Sequence, residues 1–256
     1  MGSLQGQVAI ITGAGSGIGL ATARLFHREG ATVVLVARSA SGLERAQQAC
    51  AAIDDRPVLT LSLDVRSEAD MDRMAACAVE RYGRIDCLIA SAGTIGNVSK
   101  ELKLPYALGH LPVEEWDLII DTNLKGLIYG NRAVLRHMME QHQGEIVNVG
   151  SYPASLRGSA HAAAYSASKH AVRGLTQAAA EEVRPFGIRM QTLLPGPTET
   201  PMLYGTNAIS RHGALTPDMV ARQILHLVTL PRDTTLGESV VYAVKPPQAM
   251  PSGHTA

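Results

Sequence analysis

The sequence predicts an α/β protein built on one seven-stranded parallel sheet, doubly wound, with helices on both faces. Three observations carry that expectation. Short apolar runs alternate with helix-like segments along all 256 residues. The runs show little in/out alternation, as strands buried on both faces do. A glycine stands between several helix-like segments and the next run, where the chain must reverse. Parallel neighbours are joined by right-handed crossovers, so the interleaved helices come to lie on both faces. The length fits a single domain spanning residues 1–256. Two connections, at about 94–112 and 197–215, exceed the two to six residues usual in such folds, and loops at strand ends are where substrate is expected.

The predicted strands are Val8–Thr12, Thr32–Ala37, Val58–Leu63, Cys87–Ala90, Glu145–Val149, Arg189–Leu194 and Val240–Val244. The first runs into Gly13-Ala14-Gly15-Ser16-Gly17-Ile18-Gly19, then into a helix with Leu20, Ala23 and Leu25 on its apolar face. A strand, a glycine-rich turn and a helix in that order form the Rossmann-type dinucleotide arrangement. Glycines admit a pyrophosphate close to the backbone, and free N–H groups at the helix start bind it. The spacing is not the strict G-x-G-x-x-G, and no Lys-Ser or Lys-Thr follows the last glycine, which excludes a P-loop.

Thr32–Ala37 ends in Arg38-Ser39, where an NAD-type site expects a carboxylate for the ribose 2′-hydroxyl. Arg38 and Ser39 would instead hold a 2′-phosphate by charge-assisted hydrogen bonds, so NADP(H) is the expected cofactor. Asp64, beside Val65 at the end of the third run, either reaches the adenine or caps a turn. Ser67 and Asp70 read as a capping box opening a helix over Glu68–Arg81. Gly30, Gly83, Gly144 and Gly187 each stand past a helical stretch and before a strand.

Composition narrows the function. Lys+Arg 23 balances Asp+Glu 23, with 46% hydrophobic and 18% charged residues, and no basic run offers a face to nucleic acid. No apolar stretch spans a membrane and no secretory leader is evident, so a cytoplasmic protein without membrane partner is expected. Cys50, Cys77 and Cys87 form neither a disulfide framework nor a zinc motif. His137 and His142 lack ligand spacing, and no metal requirement is expected.

Tyr165 and Lys169 stand i, i+4 at the start of a predicted helix, Tyr165–Phe186, and so share one face. Interconverting a carbonyl and an alcohol by hydride transfer needs a group that gives or takes a proton near neutral pH. Moving a phenol from about 10 to about 7 takes about 4 kcal/mol. A neighbouring ammonium supplies roughly one to three pH units of this, and the positive nicotinamide adds to it.

With these residues in place, the chain resembles the short-chain dehydrogenase/reductase family over nearly its whole length. The resemblance rests on Thr12-Gly13-x-x-x-Gly17-x-Gly19, Ser91-Ala92-Gly93, Asn123 in Asp-Thr-Asn-Leu-Lys-Gly, Ser151, Tyr165-x-x-x-Lys169 and Pro195-Gly196-x-x-x-Thr200. It implies that Tyr165 is the general acid/base, that Lys169 lowers its pKa and binds ribose hydroxyls, that Ser151 holds the substrate oxygen, and that Asn123 sustains a water in a proton relay. It also implies that Gly13, Ser16, Gly17, Ile18, Gly19, Ser91, Ala92 and Gly93 border the cofactor, and that Pro195, Gly196, Thr198 and Thr200 meet the nicotinamide carboxamide.

Three departures are visible. Ala90 and Ser91 replace the family's two asparagines, and Tyr152 stands thirteen residues before the tyrosine, where the family has its serine. Anchoring on Val147-Asn148-Val149-Gly150 makes Ser151 the counterpart, with Ser155 as rival. The loop from Gly93 to Trp116 is longer than the family norm.

Ile95, Leu102, Leu104, Tyr106, Leu108 and His110 from one loop, Met202, Leu203 and Tyr204 from the other, and Tyr152 and Pro153 beside Ser151 make a mostly apolar mouth. That suits a small uncharged ketone, aldehyde or alcohol. Two alternatives are a 3-oxoacyl-thioester reductase, with Lys100, Lys103, Arg132 and Arg136 as a patch for an acidic carrier, and a non-catalytic NADP(H)-sensing regulator. The resemblance further implies a homodimer or homotetramer through helices near Leu124–Met139 and Ala167–Glu181.

Overall fold

A computed structural model describes residues 2–98, 105–156, 161–205 and 214–244. In chain order its elements are β1 (Val8–Thr12), α1 (Gly17–Arg28), β2 (Thr32–Ala37), α2 (Ala40–Ala51), β3 (Leu59–Ser62), α3 (Glu68–Tyr82) and β4 (Cys87–Ala90). They continue as α4 (Val113–Ile120), α5 (Gly126–Gln141), β5 (Gly144–Val149), α6 (Tyr152–Leu156), α7 (Ala163–Val183), β6 (Ile188–Pro195), α8 (Pro201–Tyr204), α9 (Pro217–Val228) and β7 (Glu238–Val241). The strands form one parallel sheet in the order β3-β2-β1-β4-β5-β6-β7.

Alternate residues of each strand face opposite helical layers. Ala9, Ile11, Val33, Leu35 and Ile89 pack with Phe26 of α1, Ala46 of α2 and Ile224 of α9. Ile10, Val34, Val36, Leu88 and Ile146 pack with Met71 and Met74 of α3, Val134 and Met138 of α5 and Val183 of α7. Both faces are covered, and that is why the central strands read as unbroken apolar runs.

The local signals hold with instructive exceptions. Ser67 caps α3 by accepting from the Asp70 N–H at 3.2 Å, but the Asp70 carboxylate turns away from the box and accepts from the Asp64 N–H at 2.9 Å. Gly83 takes the left-handed conformation after α3. After α5 it is His142 that does so, and Gly144 is already strand, where a Cβ would stand 2.3 Å from the Met138 sulfur. The last strand is Glu238–Val241 rather than Val240–Val244, because its register is set by pairing Thr192–Pro195 of β6.

At the amino-terminal side of the β5–β6 pair, Glu145 and Arg189 form a largely buried ion pair, 2.9 Å from Nε to both carboxylate oxygens. Arg189 also donates to the carbonyls of Leu230, Pro231 and Thr234 at 3.1, 2.6 and 2.6 Å, and so anchors the approach to β7.

Candidate active site

The strand order reverses between β1 and β4. The chain leaves β1 toward α1 on one face and leaves β4 toward α4 and α5 on the other, so a crevice opens beyond their carboxyl ends. A cavity of about 490 Å³ lies there, walled by the Gly13–Gly19 turn, Ser91–Gly93, Val149–Ser151, Tyr165, Lys169 and the segment from Pro195 to Leu203.

Two glycines of the turn are demanded by its own packing. Gly13 has φ +70°, and a Cβ there would lie 2.9 Å from the Ala92 backbone; one at Gly19 would lie 2.4 Å from the Gly13 carbonyl oxygen. The turn is drawn onto the end of β4, where Ser91 Oγ donates to the Thr12 carbonyl at 2.6 Å and the Ala92 N–H donates to Thr12 Oγ1 at 3.3 Å. Ser91, in place of an asparagine, thus fastens β4 to β1. Ser16 precedes α1 in extended conformation and makes no capping bond, and the first turn carries no acid. The N–H groups that open α1, with Ile18 beside them, therefore face the cavity uncapped.

The residues expected around the adenine end lie off this wall, at the carboxyl ends of β2 and β3. Arg38 is exposed and forms no ion pair among the described residues. The Ser39 hydroxyl accepts from the Gly42 N–H at 3.1 Å as the cap of α2. Asp64 is held by Arg66 through bonds of 2.6 to 3.1 Å, and the hydrogen bonds from this guanidinium pull its carboxyl below the usual range. Of the two roles left open for Asp64, the structure displays the turn. Val65 is buried against Gly126.

Tyr165 sits in the first turn of α7. The helix starts at Ala163, two residues before the expected start, and ends at Val183, with a single 3₁₀ turn over Arg184–Phe186. Lys169 lies one turn further on, 5% exposed, with Nζ donating to the Val149 carbonyl at 2.8 Å. No other acceptor meets this ammonium among the described residues, although it carries three protons. Burial brings its pKa down to about 8. Its Nζ is 5.8 Å from the centre of the Tyr165 ring. Burial pushes the Tyr165 phenol up, while a hydrogen bond from the Ser151 hydroxyl works in the opposite sense. The lowering expected from Lys169 is therefore not produced by the protein groups alone, because the phenol is desolvated and the ammonium stands over its ring.

Asn123 lies in a π-helical turn, Asp121–Lys125, between α4 and α5. Its Nδ2 donates to the Thr94 carbonyl at 2.8 Å and to Ser168 Oγ at 3.0 Å, while Oδ1 accepts from the Thr94 N–H at 2.7 Å. Ser168 Oγ in turn donates to the Tyr165 carbonyl at 2.7 Å. The amide is committed to tying the loop after β4 to α7.

The two candidate serines separate cleanly. Ser151 faces the cavity and the phenol. Ser155 is fully buried, off the cavity wall, with Oγ donating to the Lys169 carbonyl at 3.1 Å. Elsewhere along the lining the Gly196 N–H donates to the Val241 carbonyl at 2.7 Å and Thr198 Oγ1 to the Gly196 carbonyl at 2.9 Å. Thr200 caps α8 and presses against Gly17.

Of the expected mouth, Ile95, Tyr106, Pro153, Met202 and Leu203 line the cavity. Leu108, His110, Tyr152 and Tyr204 do not; Tyr152 stacks on Tyr242, ring centres 5.4 Å apart. Leu102, Leu104, Lys100 and Lys103 lie outside the described residues. Arg132 and Arg136 are not on the wall but pair with Glu68 and Asp72 of α3. Sequence reasoning missed Asn97, Glu115 and His161, which do line the cavity. Eighteen residues separate Asn97 from Glu115, and no periodicity or motif signals such a pairing. No group of three or more His, Cys, Asp or Glu among the described residues could hold a metal ion, and none of their helices is long and apolar enough to cross a membrane.

A family model described as short chain dehydrogenase matches residues 7–209. The chain is similar to an uncharacterized oxidoreductase of Staphylococcus aureus, 32% identical over 241 residues that cover 94% of this chain and 99% of the relative. Among solved structures it is similar to levodione reductase, with TM-score 0.83 and 31% identity over 93% of this chain and 96% of that one. It is also similar to 3-ketoacyl-(acyl-carrier-protein) reductase from Brucella melitensis complexed with NADH, with TM-score 0.82, 31% identity and the same coverage of both chains.

Proposed function

Because the chain belongs to the short-chain dehydrogenase family of oxidoreductases, we propose that it interconverts a small uncharged ketone or aldehyde and the corresponding alcohol with NADP(H), using Tyr165 as general acid/base. The observation that carries this reading is the convergence of Ser151, Tyr165 and Lys169 in the cavity that the uncapped start of α1 also lines.

The residues present fit a dinucleotide. Lys169 has a buried ammonium with a single protein acceptor, which suits a pair of ribose hydroxyls, and the N–H groups at the start of α1 suit a pyrophosphate. Beyond β2, the exposed and unpaired Arg38 suits a 2′-phosphate, and the neighbouring Asp64 is already neutralised by Arg66. When bound, the cofactor supplies the hydride and, in its oxidised form, a positive charge.

Ser151 holds the substrate oxygen by a hydrogen bond and keeps it beside the phenol. In reduction, Tyr165 donates its proton to the oxygen as the alcohol forms. Its raised pKa keeps that proton in place until the oxygen becomes basic. In oxidation the phenolate must form, and the Lys169 ammonium stabilises it while Ser151 keeps its single hydroxyl proton for the substrate oxygen. Asn123 acts by holding Thr94 and Ser168, and so fixes the first turn of α7 from which Tyr165 projects.

The thioester alternative loses two members of its basic patch to Glu68 and Asp72. We also read the chain as a homodimer or homotetramer through α5 and α7. Ala167, Gly174 and Ala178 form an outward face of α7 on which a Cβ at Gly174 would touch nothing. The three free cysteines fit a reducing, cytoplasmic setting.

The test is a screen of NADPH and NADH consumption over neutral ketones, aldehydes and acyl thioesters, with Tyr165→Phe beside the wild type. Turnover of a neutral carbonyl with NADPH, lost by at least a hundredfold in the variant while cofactor affinity holds, is the expected result. Turnover retained by the variant refutes the role of Tyr165.

A further inference from the structure

Glu115 of α4 is the only acid on the wall of the cavity among the described residues, and no arginine faces it there. Its carboxylate is clamped from the loop that follows β4: Oε2 accepts from the Asn97 N–H at 2.8 Å, and Oε1 accepts from the Asn97 side-chain amide. The clamp is tight. Gly96 has φ +79°, and a Cβ there would stand 3.0 Å from both Glu115 Oε2 and Ile119 Cδ1, so loop and helix touch through bare backbone. A carboxylate offers about four acceptor positions, and Asn97 takes two.

We propose that the Glu115–Asn97 clasp is a charge filter of the substrate site, which rejects substrates bearing a carboxylate or phosphate and favours neutral ones, above all those with a hydroxyl or amine donor at this end. The proposal rests on the cavity being the substrate site argued above. An ionised Glu115 accepts but cannot donate, so a substrate carboxylate would find like charge and no hydrogen bond. Of the lysines and arginines among the described residues, only Lys169 lines the cavity, and it is buried with its Nζ on the Val149 carbonyl, while His161 adds an imidazole to the same wall. The clasp also pre-orients the charge. Both Asn97 donors hold the carboxylate in place before any ligand arrives, so the filter needs no rearrangement.

The test uses oxo acids whose carboxylate stands one to four carbons from the ketone, each beside its methyl ester, on wild type, Glu115→Gln and Glu115→Lys at pH 8. Binding is read from the fluorescence of the single tryptophan, Trp116, adjacent to Glu115, and turnover from NADPH consumption. Wild type is expected to bind and reduce at least one ester tenfold or more better than its acid. Glu115→Gln should cut that ratio at least fivefold, and Glu115→Lys should bring it to unity or below. Thermal melting of each variant separates a lost filter from a lost fold. A ratio unchanged in both folded variants, or acid and ester bound equally by wild type, overturns the filter. Selective binding without turnover of any ester would leave the filter standing and refute instead the proposed reduction of small neutral carbonyls in this cavity.

Discussion

Replacing Lys169 by methionine should make the protein more stable at neutral pH even as it removes activity. The side chain is 5% exposed, and burial draws its pKa from 10.5 to about 8. A lysine whose pKa is lower in the folded state binds fewer protons there, so stability rises with pH between about 8 and 10.5 and is depressed below that window. At about 1.36 kcal/mol per pH unit the charged ammonium costs the fold about 3 kcal/mol at pH 7. Methionine of similar length avoids that cost but leaves the Val149 carbonyl without its donor, a loss of about 1–3 kcal/mol. The net gain at pH 7 is up to about 2 kcal/mol, or up to about 8 °C in Tm for a chain of this size. At pH 10 the wild-type lysine is mostly neutral in the fold, the penalty has fallen below about 1 kcal/mol, and the advantage of the variant should vanish. The assay is denaturant unfolding of both proteins at pH 7, 8.5 and 10 without cofactor. A variant less stable than wild type at pH 7, or a difference that does not change with pH, would refute the desolvation argument.

Three further outcomes follow from the same contacts. Ser151→Ala should lower turnover by about ten- to a thousandfold, as loss of one preorganised donor does, whereas Ser155→Ala should keep most turnover and lose about 1 kcal/mol of stability with its bond to the Lys169 carbonyl; reversal of that pattern in steady-state kinetics would move the role to Ser155. Arg38→Asp should raise KM for NADPH by about 10–150-fold, the worth of a hydrogen bond to a charged group, with little change for NADH, and equal use of both cofactors by wild type would refute the 2′-phosphate assignment. Arg189→Leu should cost about 3–5 kcal/mol at pH 8, because it leaves Glu145 buried without its partner. Burial holds the Glu145 carboxyl at about 7, against the pull of Arg189. A carboxyl raised in the fold loses stability as pH climbs from its unfolded value of 4.5, so the deficit of the variant should be smaller at pH 5.5 than at pH 8 in denaturant titrations.

The pattern of apolar runs was enough to read the sheet, because burial on both faces leaves an unalternating signature in four to eight consecutive residues. Where burial was one-sided or partial the reading slipped: β7 at the sheet edge, with Val240 exposed, lay two residues from its expected start. The i, i+4 placement of Tyr165 and Lys169 on one helix was legible because a helix repeats locally. The direction of the Tyr165 pKa was not, since it depends on how much water the folded cavity excludes and on where Lys169 Nζ points.

What the sequence determined by itself is therefore what short-range chemistry encodes: strand and helix order, the glycine turn, the shared face of Tyr165 and Lys169, and the cation after β2. The tertiary structure decided which of two serines meets the phenol, that the amide of Asn123 is spent on Thr94 and Ser168, and that Glu115 rather than an apolar residue stands on the cavity wall. Those outcomes join residues 14 to 45 positions apart in the chain. Long-range packing and hydrogen-bond competition settle them, and neither leaves a local mark on the sequence.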